Sequence, residues 1–219
     1  MIQSLSTGLE KLGIVADSVQ TEQLEAYIRA VLEYNKTYNL MKAADKDEMA
    51  VNHVLDSLAA LPHIQGLAEP FATDGKQVNI GDIGSGGGCP GIPLAVCFPQ
   101  ARFTLVERME KRCVFLESVI RTLKLENTSV LGVQAQNVPP ASFDIATFRA
   151  FHPFDAKIAK LLFALLKPNG IIAAYKARAE KIASEMEAVR GIIPHYEKIP
   201  LVVPGLEDHE RNLVVIQRA

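Results

Sequence analysis

Residues 79–93 read NIGDIGSGGGCPGIP, and this stretch predicts the fold more directly than any other part of the chain. A strand-like apolar run ends at Asp82, glycines interrupt the pattern, and a helix begins at Pro90 or Pro93, because proline suits the first helical turn. A glycine-rich turn between a strand and a helix directs free backbone amides at a ligand. The stretch therefore predicts a site for a nucleotide-like molecule.

The glycines leave open whether the ligand is a dinucleotide or S-adenosylmethionine, since a GxGxxG pattern fits Gly86, Gly88 and Gly91. Asp82 favours S-adenosylmethionine, because a carboxylate two residues before Gly84 suits a ligand with a cationic ammonium group, which NAD lacks. The alternative is that Asp82 only hydrogen-bonds the amides of its own turn.

Glu107 ends the next apolar run, RFTLVE at residues 102–107. At this place its carboxylate can accept hydrogen bonds from both hydroxyls of a ribose. NAD-binding folds also carry an acidic residue here, so Glu107 predicts a ribose without choosing between the two cofactors.

The composition is that of a soluble protein that folds alone, with 219 residues of which 48% are hydrophobic. Neither a signal pattern nor an apolar stretch long enough to span a membrane is found, so we expect a cytoplasmic protein without a membrane partner. Cys89, Cys97 and Cys113 lack CxxC spacing, which predicts neither a disulfide framework nor a metal site. We expect the chain to act as a monomer.

The formal net charge of −2 means that any contact with RNA must come from a local patch. A candidate patch consists of cations near the ends of predicted strands: Arg108, Lys111, Arg112, Arg149, Lys176, Arg178 and Lys181. The alternative for those that follow Glu107 is an ordinary solvated helix surface.

Residues 1–70 are predicted to form a helical extension. Apolar residues in 21–38 recur at spacings of three and four, which predicts an amphipathic helix that begins near Thr21. Asp45 and Glu48 have the spacing of a capping box for a second helix, which Pro62 would end.

Residues 71–219 are predicted to form an α/β domain in which short apolar runs alternate with helical segments. The runs are QVNIGDI, RFTLVE, TSVLGVQ, FDIATFR, GIIAAYK, EKIPLVV and NLVVIQ. Helical crossovers imply a mostly parallel sheet, but only a short loop joins the last two runs, so these should form an antiparallel hairpin. Such a sheet resembles the seven-stranded, Rossmann-like methyltransferase fold, in which ligands bind at the carboxyl ends of the strands.

Several blocks resemble, in order and spacing, those of the small-subunit (16S) ribosomal RNA methyltransferase G family, RsmG, also called GidB. The blocks are YNKTYNL at 34–40, NHVLDSL at 52–58, DIGSGGGCPGIPLA at 82–95, EKRCVFL at 110–116, FRA at 148–150 and RNLVVI at 211–216. The resemblance implies transfer of a methyl group from S-adenosylmethionine to N7 of a guanine in 16S rRNA, with the rRNA or the small ribosomal subunit as partner.

The resemblance also implies which residues contact the cofactor. They are Gly84 and Cys89 in the glycine loop, Ala135 and Gln136 after the third strand, and Arg149 after the fourth. The adenine would lie against the backbone of residues 135–136.

The chain departs from the family pattern at four positions. Asn52 stands where the family usually has arginine, Gln134 and Gln136 replace an Arg-x-Glu pair, and Met41 replaces a threonine. These departures keep two alternatives open, a methyltransferase with another acceptor and a non-catalytic RNA- or nucleotide-binding relative. A dinucleotide oxidoreductase is a further option, but it lacks an identifiable catalytic acid or base.

The expected chemistry needs few catalytic groups, because guanine N7 carries a lone pair and no proton. The segment after the fourth strand has Phe148, Arg149 and Ala150 in place of the NPPY-like motif typical of exocyclic-amine methyltransferases. We expect Arg149 to be the catalytic residue that bridges cofactor and RNA, since a guanidinium binds carboxylate or phosphate bidentately. We expect Lys176 and Arg211 to contact the RNA.

Other polar and aromatic residues give weaker predictions. His53 and Asp56 are three residues apart and could pair on one helix face, although such a pair is more often structural. Phe151, Phe154 and Tyr175 could stack on a flipped base, and two of the three are expected to belong to the core.

Overall fold

A computed structural model of the chain describes residues 1–73, 75–151 and 153–218. The N-terminal part is helical, with α1 at Gln3–Lys11, α2 at Ser18–Asn35, α3 at Lys46–Met49, a π-helical turn at Ala50–Leu55, α4 at Asp56–Leu58, α5 at Leu61–Ala68 and a 3-10 turn at Glu69–Phe71. The strands are β1 at Asn79–Ile83, β2 at Arg102–Val106, β3 at Thr128–Leu131, β4 at Phe143–Arg149, β5 at Leu166–Lys176, β6 at Glu197–Leu201 and β7 at Arg211–Gln217. The helices between them are α6 at Gly91–Cys97, α7 at Glu110–Leu123, α8 at Ala156–Leu165 and α9 at Ala179–Ala188, with a 3-10 turn at Ala135–Asn137.

The strands form one seven-stranded sheet in the order β3-β2-β1-β4-β5-β7-β6. All neighbouring pairs among β1 to β5 are parallel, and β7 runs antiparallel to both β5 and β6. The predicted sheet and its closing antiparallel hairpin are therefore confirmed. Because the strand order reverses between β1 and β4, the carboxyl ends of these two strands frame the crevice in which such sheets bind ligands.

The helix α2 forms because its apolar residues line one face. Leu24, Tyr27, Ile28 and Val31 recur at helical spacing and are fully buried. They share one hydrophobic core with residues of the sheet such as Phe103. The division of the chain at residue 70 thus stays a prediction, since the core runs across it.

The helix boundaries differ from the sequence predictions in several places. The first helix, α1, was not predicted, and α2 begins at Ser18 because Asp17 and Gln20 form a reciprocal capping box. Asp45 caps α3 through the amides of Asp47 and Glu48, but the Glu48 carboxylate reaches back to the Ala44 amide, so the predicted box is incomplete.

Pro62 does not end the preceding helix, because α4 already ends at Leu58. It lies in the first turn of α5, where its missing N–H leaves no hydrogen bond unmade. Across the parts of the chain that the structure describes, no helix is both long and apolar enough to span a membrane.

Candidate functional site

The glycine loop follows β1 directly. Gly84, Gly86 and Gly88 have φ values of +76°, +58° and +100°. A Cβ at Gly84 would come within 2.5 Å of the Phe151 ring, whereas a Cβ at Gly86 would meet only the Gly84 carbonyl, at 3.8 Å. The loop therefore needs glycine for its conformation, and its Gly86 side is open to an approaching ligand.

Asp82 lies buried at the end of β1, with 1% of its surface exposed. Its Oδ2 accepts a hydrogen bond from the Gly91 amide at 3.0 Å, but its Oδ1 has no hydrogen-bond partner among the described residues. Burial raises the pKa of Asp82 to about 7. If Asp82 served only to hydrogen-bond the amides of its own turn, that role would account for Oδ2. Oδ1 is left for a ligand.

Glu107 ties the glycine loop to the end of β2. Its Oε2 accepts the Gly86 amide at 2.9 Å, and its Oε1 accepts the amides of Arg108 and Met109, both at 2.8 Å. A carboxylate oxygen can accept two hydrogen bonds, so Oε2 keeps one free position for a ribose hydroxyl. The Arg112 guanidinium lies 3.7 Å from the same oxygen.

The segment after β3 contains both glutamines that depart from the family pattern. Ala135 is buried and Gln136 is exposed in the 3-10 turn, and the Gln136 amide donates a hydrogen bond to the Gln134 side chain. The two substituted side chains thus pair with each other.

Arg149, at the end of β4, is held by three hydrogen bonds. Its Nη1 donates to Asp56 Oδ2 at 2.6 Å and to the Asn52 carbonyl at 3.1 Å, and its Nη2 lies 2.8 Å from His53 Nδ1. His53 and Asp56, which could have paired with each other, each contact Arg149. Asn52 and His53 lie in the π-helical turn and Asp56 directly follows it in α4, and all three contact Arg149 at the end of β4.

His53 is neutral in this network. A guanidinium only donates, so His53 Nδ1 accepts from Arg149 and Nε2 donates to the Lys42 carbonyl at 2.9 Å. Burial lowers the pKa of His53, and the nearby positive charge of Arg149 lowers it further against the opposing effect of the Lys42 carbonyl.

Asp56 binds a second guanidinium. Arg211 Nε donates to Asp56 Oδ1 at 2.8 Å, and Arg211 Nη1 donates to the Glu210 carbonyl at 3.0 Å. Two cations therefore share one buried carboxylate, and the cluster of Arg149, Asp56 and Arg211 keeps one net positive charge.

A cavity of about 780 Å³ lies beside this cluster. It is lined by Arg149, Arg211, Phe151, Lys176 and Glu185, among others. Phe151 is half-buried and also touches Gly84, so the cavity adjoins the glycine loop. The edge of the sheet thus presents a loop suited to a cofactor and, next to it, a cationic cavity suited to a second, anionic reactant.

The chain matches a family model that describes rRNA small subunit methyltransferase G, over residues 20–214. A relative of that name in Treponema denticola is 35% identical, with 98% of this chain and 93% of the relative aligned. The chain belongs to the rRNA small subunit methyltransferase G family. The resemblance of the sequence blocks is confirmed, and with it the expected class of enzyme and S-adenosylmethionine as the methyl donor.

Solved structures support the fold of this methyltransferase. A SAM-dependent methyltransferase from Aquifex aeolicus aligns with a TM-score of 0.51 at 15% identity, covering 75% of this chain and 93% of the other. The cyclase SpnF aligns with a TM-score of 0.53 at 13% identity, covering 94% and 97% of the two chains. A cyclase with this fold shows that the fold alone does not identify the reaction.

Several predicted site residues of this methyltransferase already have partners. Lys176 binds Glu185 at 2.6 Å and lies 5.2 Å from the Phe154 ring, while Arg211 binds Asp56. Cys89 is buried, and burial raises the pKa of its thiol. These residues stay predictions as contacts of RNA or cofactor. Of the three aromatic candidates, Phe154 and Tyr175 are buried, and Phe151 is half-buried on the cavity wall.

Sequence reasoning missed Tyr27, which contacts the glycine loop of the methyltransferase from α2. Its hydroxyl donates to the Gly87 carbonyl at 2.7 Å and lies 3.1 Å from Cys89 Sγ. Tyr27 belongs to the apolar face of α2, so its position indicates only a core residue. The available signal was its hydroxyl, because a polar atom on an otherwise apolar, buried helix face must find a hydrogen-bond partner.

Met41 packs against the same loop, since a Cβ on Gly87 would come within 2.3 Å of Met41 Sδ. Asn35 fixes the backbone at Met41. Its side chain accepts the amides of Leu40 and Met41 at 3.0 and 3.2 Å and donates to the Met41 carbonyl at 2.7 Å. The substitution at position 41 is thus a packing contact with the glycine loop.

Proposed function

We propose that the protein transfers a methyl group from S-adenosylmethionine to N7 of a guanine in 16S rRNA. Family membership supports a methyltransferase of small-subunit rRNA. The observation that carries the proposal is the unpartnered Oδ1 of Asp82, buried at the carboxyl end of β1 where the glycine loop begins. Burial of an unpaired carboxylate oxygen costs free energy, and a cationic group on the ligand would offset that cost.

The residues around the glycine loop fit S-adenosylmethionine. The ammonium of its methionine end would pair with Asp82 Oδ1, and this pairing would stabilise the charged carboxylate whose pKa burial raises to about 7. A ribose hydroxyl would bind the free position of Glu107 Oε2, and the adenine would lie along the backbone of Ala135 and Gln136. Gly84 and Cys89 would border the methionine portion.

When bound, S-adenosylmethionine supplies a methyl group on a positively charged sulfur. The lone pair of guanine N7 forms the new carbon–nitrogen bond, the sulfur–carbon bond breaks with its electron pair left on sulfur, and the positive charge passes to the purine. No proton leaves N7, so the protein needs no general base. Its main contribution is orientation of two bound reactants, which can lower a barrier by roughly 7 to 11 kcal/mol.

The structure around the loop supports attack by the purine nitrogen in preference to a covalent enzyme intermediate. Cys89 is the cysteine of the glycine loop, and burial raises the pKa of its thiol, which opposes formation of a nucleophilic thiolate. Its sulfur also lies 3.1 Å from the Tyr27 hydroxyl, inside the loop support.

Arg149 is the residue that we place between the reactants. A guanidinium has five N–H donors, and the contacts to Asp56, Asn52 and His53 use three of them. Two donors are left, within the described part of the chain, for the carboxylate of the cofactor or a phosphate of the RNA. The buried pairing with Asp56 fixes their direction.

RNA would enter through the cavity, with Lys176 and Arg211 among its contacts. The departure at position 52 does not weaken the cluster, because Asn52 contributes its carbonyl to Arg149. The substrate would be 16S rRNA, free or within the small ribosomal subunit, which places the reaction in the cytoplasm. The protein would act as a monomer.

Methyl transfer with labelled S-adenosylmethionine tests the proposal. Free 16S rRNA and small subunits from a strain that lacks its own enzyme are offered separately, and N7-methylguanine is mapped by chain cleavage at the modified base. One N7-methylguanine in 16S rRNA is the expected result. Label on another atom, or on a small-molecule acceptor only, contradicts it, and cofactor binding without transfer to any RNA would identify a non-catalytic relative.

A further inference from the structure

The charged wall of the cavity has one carboxylate with an oxygen that makes no hydrogen bond among the described residues. The charged residues that line the cavity are Arg149, Lys176, Arg178, Lys181 and Arg211 with Asp56 and Glu185. Each oxygen of Asp56 accepts a hydrogen bond from an arginine. Glu185 therefore carries the oxygen of this wall that makes no hydrogen bond within the described residues.

Glu185, on α9, is 8% exposed and held in place by its Oε2. This oxygen accepts from Lys176 Nζ at 2.6 Å and from the Phe154 amide at 3.2 Å. Its Oε1 has no hydrogen-bond partner within the described residues, and Lys181 Nζ, at 4.0 Å, is beyond hydrogen-bond distance. A buried carboxylate oxygen without a partner is costly, which indicates that a ligand supplies the missing donor.

We propose that Glu185 selects guanine as the acceptor base by accepting hydrogen bonds from its Watson–Crick edge. This inference rests on the proposed function. Guanine presents two donors on this edge, the N1 hydrogen and the exocyclic amine, whereas adenine presents an acceptor at N1 that a carboxylate repels. Enzymes that act on a flipped base commonly read it on this edge.

The position of the cavity suits this orientation. Phe151 lines the cavity and touches Gly84, so a base that stacks near Phe151 lies next to the glycine loop. In a purine, N7 lies on the side away from N1 and the exocyclic amine. A guanine held at its Watson–Crick edge by Glu185 can therefore turn N7 toward the methyl donor.

The charge of Glu185 has a second consequence. Methylation at N7 makes the purine cationic, and most of the other charges on the wall are positive. A fixed carboxylate at the base would stabilise the positive charge as it develops, which is the general basis of electrostatic catalysis. Glu185 should therefore favour 7-methylguanine over every uncharged base.

The test uses the full chain and the variant Glu185→Gln, with Glu187→Gln as matched control. Glu187 lies on the same helix with a 73% exposed side chain. We expect Glu185→Gln to lower kcat/KM on 16S rRNA by about 10- to 100-fold, the usual value of a hydrogen bond to a charged group, while the affinity for S-adenosylhomocysteine stays unchanged. The control should keep wild-type activity.

Inhibition by nucleotides separates base selection from a structural role. The wild type should be inhibited more strongly by 7-methylguanosine monophosphate than by adenosine monophosphate, and Glu185→Gln should lose this preference. Equal inhibition of the wild type by the two nucleotides, or none by either, overturns the proposal. So does an unchanged preference in the variant.

The double variant Lys176→Met with Glu185→Gln removes both charges of the pair. Recovery of wild-type activity in it would show that Glu185 serves only to neutralise Lys176, which also overturns the proposal, whereas persistent loss of the nucleotide preference supports it. A wild-type protein that methylates no 16S rRNA contradicts the proposed function itself. Transfer by the wild type with normal transfer by Glu185→Gln contradicts only the role of Glu185.

Discussion

The glycine loop and the cavity beside it are built in different ways. In the loop, two buried carboxylates accept backbone amides that are close in sequence, with separations of 9 residues for Asp82 and Gly91 and 21 for Glu107 and Gly86. In the cavity, side chains pair over long separations, 93 residues for Arg149 and Asp56 and 155 for Arg211 and Asp56. Backbone shape thus determines the cofactor side, and the arrangement of charges determines the acceptor side.

The largest expected effect concerns the charge cluster of the cavity. Arg149→Ala should abolish methyl transfer, a fall of about 10³-fold or more in kcat/KM, because the two donors aimed at the reactants are lost. The melting temperature should stay close to that of the wild type, since Arg211 still pairs with Asp56. Steady-state transfer to 16S rRNA and thermal unfolding measure the two quantities.

Arg190→Ala is the control for this change, because Arg190 forms an exposed pair with Glu187 in which both side chains are more than 70% exposed. It should leave transfer and stability unchanged. Near-normal turnover by Arg149→Ala would show that the cluster is structural and would remove the proposed contrast between the two regions.

A smaller but still large effect is expected on the cofactor side. Asp82→Asn keeps an acceptor for the Gly91 amide but removes the charge that would pair with the ammonium. The affinity for S-adenosylhomocysteine, measured by calorimetry at pH 8, should fall by about 100-fold. A change of less than threefold would show that Asp82 serves only its own turn.

The same substitution should stabilise the fold, with a sign that follows from the pKa of Asp82. This pKa is about 7 in the folded chain against an ordinary value of 3.8 for aspartate, so the folded state keeps a proton that the unfolded state releases between these values. The free energy of unfolding of the wild type therefore decreases as pH rises through this window, by up to about 4 kcal/mol at about 1.4 kcal/mol per pKa unit. Asp82→Asn has no carboxyl group to lose a proton here, so it should be more stable than the wild type at pH 8 and equal to it near pH 3, as measured by urea unfolding. Parallel pH profiles of the two proteins would contradict the raised pKa.

The contrast between the two regions also explains how much the sequence could predict. The glycine loop and the bounds of β4 follow from local patterns, since the φ values of three glycines and the run FDIATFR depend on near neighbours. The contacts of Arg149 do not follow from local patterns. They depend on the helix that carries His53 and Asp56, and the spacing of residues does not reveal the π-helical turn in it. Glu185 was missed because its unpaired oxygen becomes visible only once its contacts with Lys176 and Phe154 are known.

An intermediate effect is expected for Tyr27, which joins the N-terminal helices to the cofactor side. Tyr27→Phe keeps the ring in the core but removes the hydrogen bond to the Gly87 carbonyl. A buried hydrogen bond contributes about 1 kcal/mol, so the affinity for S-adenosylhomocysteine should fall by about fivefold. Tyr196→Phe, at a tyrosine that is 40% exposed, is the control. Equal affinities of the two variants would show that the loop keeps its shape without support from α2.

The smallest effect is expected at Asn52, and it tests whether side chain or backbone matters at this edge of the cavity. Asn52→Ala should change kcat/KM by less than about twofold, because the contact to Arg149 uses the carbonyl and surface substitutions of this kind are usually mild. Asn52→Arg adds a cation to the cavity wall and should strengthen binding of 16S rRNA at low salt, with a steeper loss of affinity as salt rises. Filter binding over a salt series measures both slopes. If Asn52→Ala lowers transfer as strongly as Arg149→Ala does, the Asn52 side chain takes part in acceptor binding, and the cavity depends on more than the charge cluster around Asp56.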